Sequence, residues 1–321
     1  MTLVLPEWPM FGLADDVRPA MRAAQAAGET VALATLYAVG DGGPRPPGSQ
    51  MLITPTAAAG FLSGGCIEAD IALHAAGVIE DGEPLHLVYG QGSPWPDIQL
   101  LCGARLDILV ERVGPDDPAL ITLLADTEAR RPAVWVTDGR ARRLDRATPG
   151  RTPKCEVHAQ PFELTRLYEP IPRLVVFGSD PIALATASLG AQAGFETTLV
   201  RPKGPQAPPP LPGVAYSRAS PVAALTAMAP DAWTAIAVAT HDWEIDHETL
   251  LAALPSAAAY VGVVGARRRA PERLARLRAA GVGEAALARL RAPIGLDLGG
   301  KAPWEIAVSV LAEIIAGRVG G

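Results

Sequence analysis

Cysteine is scarce in this sequence, with three in 321 residues, at Cys66, Cys102 and Cys155. Three thiols cannot all pair within one chain. Their spread matches neither a disulfide framework nor a CxxC metal knuckle, so reduced thiols in a cytoplasmic compartment are expected. Paired metal-ligand histidines, a nucleophile-elbow serine and a P-loop lysine are also missing. Positive charge is not in excess: 28 Lys and Arg face 34 Asp and Glu, for a net charge of -6. That balance argues against nucleic acid or an anionic membrane as the main partner. No apolar run is long enough to span a bilayer. The opening MTLVLPEWPMF, broken by Pro6, Glu7 and Pro9, lacks the basic start and apolar stretch of a secretory signal. What remains is globular, 49% apolar and 19% charged, and long enough for two domains with separate cores.

Residue patterning predicts a helix over 14–27, strands over 30–39, 50–54 and 59–62, and a helix starting at Glu68. Strands follow over 85–89 and 106–113, then a helix over 119–129 and a strand over 132–137. The Arg- and Pro-rich stretch 140–158 gives no assignment. YEPIP (168–172) reads as a linker, so the domains are expected at 1–165, with that unassigned tail, and at 171–321. The second domain opens on a strand, turn, helix and strand over 173–200, a βαβ unit. Further strands at 234–239 and 258–264 alternate with helices at 246–254, 270–280 and 303–317. The expected fold class is α/β, with a Rossmann-like doubly wound parallel sheet in the second domain. Ile306, Val310, Leu311, Ile314 and Ile315 form the apolar stripe of the last helix, as core or subunit interface.

Chemistry-bearing residues gather in a few places. In Gly64-Gly65-Cys66-Ile67-Glu68 a glycine pair precedes a helix, so backbone N–H groups can converge on an anion. Cys66 is expected in the first helical turn, where the dipole favours a thiolate suited to nucleophilic chemistry or a soft metal. An ordinary buried cysteine above a tight turn is the plainer alternative. Glu68 either caps the helix or takes a proton from a ligand. Cys102 has similar surroundings, but two cysteines alone define no metal site. His74 and His86 read as structural or exposed. In the second domain His241 and Asp242 end a predicted strand, where open sheets place their ligands; Asp242 fixes the His241 tautomer if the ring turns back toward it, although adjacent side chains often diverge. Gly265 permits a close turn. Arg267, Arg268 and Arg269 form a positive cluster for a phosphate or acidic partner, or a solvated helix start.

Several of these segments resemble the XdhC/CoxI family. AVGDGGPRPPGSQMLITPTAAAGFLSGGCIEADI (38–71) is similar to its N-terminal signature, through Gly42, Gly43, Pro44, Arg45, Gly48, Met51, Gly64, Gly65, Cys66 and Glu68. Leu101-Cys102-Gly103 resembles its second cysteine loop. THDWEIDHETL (240–250), YVGVVGARRRAPERLARLRAAGV (260–282) and RAPIGLDLGGKAPWEIAVSVLAEIIAGR (291–318) resemble the family's Rossmann domain. The likeness spans roughly 30–113 and 172–318, and motifs in the right order are more specific than a lone glycine fingerprint. It implies an N-terminal XdhC/CoxI-like α/β domain and a protein that binds molybdenum cofactor. Such a protein holds the cofactor for sulfuration by a cysteine desulfurase and delivers it to a xanthine dehydrogenase-type molybdenum hydroxylase. The resemblance also implies a homodimer and a non-enzymatic accessory role. Arg45 would pair with the pterin phosphate, and Cys66 would hold the molybdenum–sulfur centre. Gly64, Gly65, Glu68, Cys102, His241, Asp242, Gly265 and Arg267 would complete the cofactor contacts.

One stretch departs from the family pattern. Its Gly-Xaa-Gly-His turn is here Gly178-Ser179-Asp180-Pro181, which places an acid at the pyrophosphate position and removes a backbone donor. Arg201 stands where an acidic ribose partner is usual. Classical NAD(P) or FAD binding is therefore not expected. An NAD(P)-dependent oxidoreductase, favoured by topology alone, and a non-catalytic maturation scaffold are the competing readings.

Overall fold

The computed structural model describes residues 3–40, 42–93, 100, 103–148 and 152–319. The chain divides into two units, Met1–Pro170 and Ile171–Gly321. In the first, α1 (Arg18–Ala26) leads to β1 (Val31–Val39), buried through Leu36. β2 (Gln50–Ile53) returns antiparallel with Gln50 opposite Thr35, and β3 (Ala58–Gly60) folds back with Gly60 opposite Met51. After α2 (Glu68–Asp81), β4 (Leu85–Gly90) and β5 (Arg105–Val113) complete an antiparallel sheet of order β3-β2-β1-β5-β4. α3 (Pro118–Glu128), capped by Asp117, leads to β6 (Ala133–Thr137), β7 (Arg142–Arg146), β8 (Cys155–Ala159) and β9 (Phe162–Tyr168). These form a second antiparallel sheet, β7-β6-β9-β8.

Period-two alternation sorts the first sheet between two cores. Ala32, Ala34, Leu36, Met51, Ile108 and Val110 pack on Ile71, Ala75 and Val78 of α2. On the opposite face Val31, Leu33 and Leu52 meet Met21 of α1, Leu120 and Leu123 of α3, and Trp135 and Tyr168 of the second sheet. Two expectations need correction. α1 begins at Arg18 rather than near residue 14, and the Asp16 carboxylate accepts from the amide and guanidinium of Arg18, the first residue of that helix. The unassigned 140–158 stretch holds β7 and β8, the two outer strands of their sheet, where Arg143, Asp145, Glu156 and His158 point to solvent. Charged outer strands resist edge-to-edge pairing, and their low apolar content hides them from a hydrophobic pattern.

The second unit carries a wholly parallel sheet. β10 (Arg173–Gly178), α4 (Pro181–Gln192) and β11 (Glu196–Val200) open it, followed by β12 (Val214–Ser217) and α5 (Pro221–Met228). β13 (Thr234–Ala239), α6 (Trp243–Ala253) and β14 (Tyr260–Val263) continue the alternation. α7 (Ala270–Ala279), α8 (Glu284–Leu287), β15 (Leu290–Arg291) and α9 (Pro303–Val319) complete it. The order is β12-β11-β10-β13-β14-β15, a doubly wound Rossmann arrangement with its switch point between β10 and β13. α4 and α9 supply Ala183, Ala187, Val310 and Ile314 to one face. α5, α6 and α7 supply Leu225, Leu250 and Leu277 to the other. Among the described residues no helix is long and apolar enough to cross a membrane.

Candidate functional site

The first unit gathers its motif at one end of a sheet. The registers Thr35 to Gln50, Met51 to Gly60, Val39 to Leu106 and Gly90 to Arg105 bring five strand ends to that edge. The loops 40–49 with Arg45 and 61–67 with the glycine pair therefore emerge together. The segment between Gly90 and Arg105, which carries Cys102, joins β4 to β5 at the same end; Cys102 lies outside the described residues.

Glu68 organises the motif. It is only 2% exposed, although it opens a helix. Its Oε1 accepts from the amides of Leu62 (3.0 Å) and Ser63 (2.7 Å), and its Oε2 accepts from the Ser63 hydroxyl (2.8 Å). The carboxylate thus braces the loop before α2 rather than capping the amides inside it. Ser63, which sequence reasoning passed over, is the second brace: its Oγ also accepts from the Cys66 amide at 3.2 Å. This folded turn keeps Cys66 ahead of the cap residue Ile67, so the expectation that Cys66 sits in the first helical turn is corrected. Its thiol is free and exposed.

Gly65 has φ +94°, a left-handed conformation that favours glycine, and added Cβ atoms at Gly64 or Gly65 would meet nothing within 4 Å. The amides of both glycines make no hydrogen bond among the described residues. The turn is therefore open, with two donors and a thiol facing solvent. Arg45 forms an ion pair with Asp15, and its Nε is buried without a hydrogen-bond partner. This donor set fits an anionic group with a soft metal–sulfur centre. Among the described residues no cluster of three His, Cys, Asp or Glu side chains is placed to hold a bare metal ion.

Beside the turn, Asp70 of α2 accepts from the Tyr89 hydroxyl at 2.6 Å and lies 3.5 Å from His74 Nε2. Burial and the Asp70 carboxylate push the Tyr89 hydroxyl well above its ordinary range. His74 is thus one of the structural histidines, on the same helix as the braced turn.

In the second unit the switch point is closed by side chains. A Cβ at Gly178 would fall 2.5 Å from the Ala239 carbonyl oxygen and 2.6 Å from the Ala183 Cβ, so helix and strand approach closely only with glycine here. Asp180 caps α4, its Oδ1 accepting from the Ala183 amide at 2.8 Å. Its Oδ2 lies 2.7 Å from His241 Nε2. The acid thus takes the helix-end donor that a pyrophosphate would use.

His241 adopts φ +57°, uncommon for a residue with a side chain, and more than half of its ring surface is exposed. Asp242 does not meet the ring as expected. It caps α6, accepting from the amides of Glu244 (2.9 Å) and Ile245 (3.1 Å), and Asp180 orients His241 instead. Gly265 follows β14, near the Arg273 guanidinium. Arg267 pairs with Asp297 at 2.7 Å, so part of the expected positive cluster is neutralised. Arg269 and Arg273 lie over the Trp243 ring, and Arg273 makes a buried ion pair with Asp246 at 3.1 Å. Thr240 donates to that same carboxylate at 2.6 Å. Nothing in the sequence marked Asp246 or Arg273, because their pairing spans the α6–α7 packing.

Comparison with known proteins converges on one family. A family model described as the XdhC Rossmann domain matches residues 174–314, and one described as the XdhC and CoxI family matches residues 24–90. The chain is 30% identical over 311 residues to the molybdenum cofactor insertion chaperone PaoD of Escherichia coli (strain K12), covering 96% of this chain and 90% of that protein. It is 30% identical over 161 residues to a probable xanthine dehydrogenase subunit of Bacillus subtilis (strain 168), covering 47% of this chain and 44% of the relative. A crystal structure described as a xanthine dehydrogenase from Bacillus halodurans superposes with TM-score 0.74 at 22% identity over 96% of both chains, which shows a shared fold. With both domain types matched in order and a relative aligned along nearly its whole length, this chain belongs to the XdhC and CoxI family.

Proposed function

We propose that this chain binds molybdenum cofactor at the sheet end of its first unit and delivers it to a xanthine dehydrogenase-type molybdenum hydroxylase. The near full-length likeness to a molybdenum cofactor insertion chaperone supports the reading. The observation that carries it is the turn braced by Glu68, which presents the Cys66 thiol and the unpaired amides of Gly64 and Gly65. The bound cofactor supplies an anionic phosphate and a soft metal–sulfur centre. Arg45, whose Nε lacks a partner, takes the phosphate; the glycine amides donate to anionic oxygens; Cys66 offers one sulfur ligand to the metal centre. Glu68 and Ser63 hold the turn in shape, and Cys102 completes the proposed cofactor contacts.

The crevice of the second unit is the proposed second contact. His241 offers a ring nitrogen there, and Arg267 becomes a donor once it leaves Asp297, while Asp242 and Gly265 shape the flanking turns. In this reading the chain works in the cytoplasm as a homodimeric accessory protein, and a cysteine desulfurase sulfurates the cofactor while it is held. An NAD(P)-dependent oxidoreductase would need the helix-end donor that Asp180 covers. The reading is tested by loading the full chain with cofactor and mixing it with cofactor-free xanthine dehydrogenase. Activity should appear at a rate that rises with loaded protein, and the Cys66→Ala variant should deliver at least about tenfold less, a loss of about 1.4 kcal/mol. Equal delivery by that variant, or none by the wild type, would contradict it.

A further inference from the structure

The second unit concentrates its exposed apolar surface in one place. Leu296, Leu298, Trp304, Val308 and Ile315 are 43%, 56%, 56%, 48% and 43% exposed, and Val222 is the only other exposed large hydrophobic residue of this unit among the described residues. Sequence pattern assigns Ile315 to the apolar stripe of α9, yet it stands at the surface while Val310, Leu311 and Ile314 of that stripe are buried. Trp304, Val308 and Ile315 lie along the outer face of α9, continued by the half-buried Ala312 and the exposed Ala316. Leu296 joins them because its amide donates to the Ser309 carbonyl of the same helix at 3.2 Å. Glu313, the only charged residue of α9 between Glu305 and Arg318, turns inward, accepting from Tyr260 and from the Gly295 amide. A solvent-facing helix normally carries charge on that face, so this one is shaped for a partner.

We propose that the occupant is a second copy of this chain, with the two α9 helices packed antiparallel about a twofold axis at the level of Val310. The pattern is self-complementary in that register. Bulky Trp304 meets Ala316 of the second copy, and Val308 meets Ala312 of the second copy, so large residues face small ones along an i, i+4 ridge. Glu305 is already turned toward the amides of Lys301 and Ala302, which leaves its stem for Ile315 of the second copy. Five large side chains at these exposures present roughly 500 Å² of apolar surface, enough for the centre of an interface burying about 800 Å² per partner.

This surface rests on the homodimer in the proposed function, and one experiment separates the two. The mass of the full chain is measured by light scattering on a size-exclusion column, beside Val308→Asp and Trp304→Ser, with circular dichroism to confirm folding. The wild type should show twice the chain mass of 33.4 kDa. Each variant should fold yet dimerise at least about 30-fold more weakly, as loss of a central apolar anchor implies. Trp304→Ser decides the matter should a charge at Val308 impair folding. A wild-type dimer that persists in the folded variants would overturn the α9 surface and leave the homodimer standing. A monomeric wild type would overturn both.

Discussion

Glu68 and the cysteines matter most at the scale of single residues. The Glu68 carboxylate accepts from the amides of Leu62, Ser63 and Ile67 and from the Ser63 hydroxyl while buried, so Glu68→Ala leaves those donors without this acceptor. That change should lower stability by about 2–3 kcal/mol, whereas Glu68→Gln, which retains one acceptor oxygen, should cost about half as much; chemical denaturation measures both. The two described cysteines differ in reach and reactivity. Cys66 is exposed, while burial pushes the Cys155 thiol up to about 11 against the pull of Arg166. At pH 8 only about a thousandth of Cys155 is thiolate. Iodoacetamide labelling followed by peptide mass spectrometry should therefore modify Cys66 well before Cys155. Faster labelling of Cys155 would mean that the turn does not present Cys66 to solvent.

Between elements, the junction of the two sheets in the first unit is held by a buried acid. Glu111 is fully buried on β5 and accepts from the Trp135 indole (3.0 Å), the Thr137 hydroxyl (2.7 Å) and Arg142 (3.1 Å). Burial raises its carboxyl above the ordinary carboxylate value, and Arg142 and the neutral donors offset this only in part. A raised carboxyl stabilises the fold fully below its unfolded value near pH 4.5, and that contribution falls away as pH climbs through the folded value. Glu111→Gln, which stays neutral at every pH, should accordingly flatten the stability profile across this window, with any cost relative to wild type smaller at neutral pH than at about pH 4. Glu111→Ala, which leaves the Trp135 indole without an acceptor and Arg142 with Asp117 as its remaining acid, should cost about 2–3 kcal/mol.

Elements of this kind mark where the sequence was readable. The apolar strands β1, β5, β10 and β13 and the glycine turn before α2 are visible in local pattern, because their chemistry is contained in a few consecutive residues. β7 and β8 were not, since an outer strand rich in arginine and glutamate carries almost no hydrophobic period. β12 was missed because it is short and follows a proline-rich loop, and α5 and β15 because they are short. At the site, the motif residues were legible, but their partners were not. Ser63 bracing Cys66, Asp180 meeting His241 across 61 positions, and Arg273 reaching Asp246 depend on packing that one-dimensional spacing does not encode.

For the whole molecule, both units hide tyrosine hydroxyls. Tyr89 and Tyr168 in the first and Tyr260 in the second are all raised above their usual value by burial. A phenol that stays neutral when folded but ionises near pH 10 when unfolded stabilises the fold below that pH and loses the contribution above it. The chain should therefore lose stability steeply above about pH 10, by up to about 1.4 kcal/mol per pH unit for each such tyrosine, visible in thermal melts between pH 8 and 11. The formal charge of -6 keeps the surface acidic, and Arg45 and Arg267 are each paired with an acid, Asp15 and Asp297.

Cofactor binding by the first unit is tested most directly by measuring bound pterin fluorescence and molybdenum content after incubating the full chain with molybdenum cofactor, beside Cys66→Ala and Arg45→Ala. Binding by the wild type should be near-stoichiometric, Cys66→Ala should lose molybdenum, and Arg45→Ala should bind pterin about tenfold more weakly. Wild-type protein that retains neither pterin nor molybdenum, or variants that retain both undiminished, would contradict a cofactor site at the Glu68-braced turn.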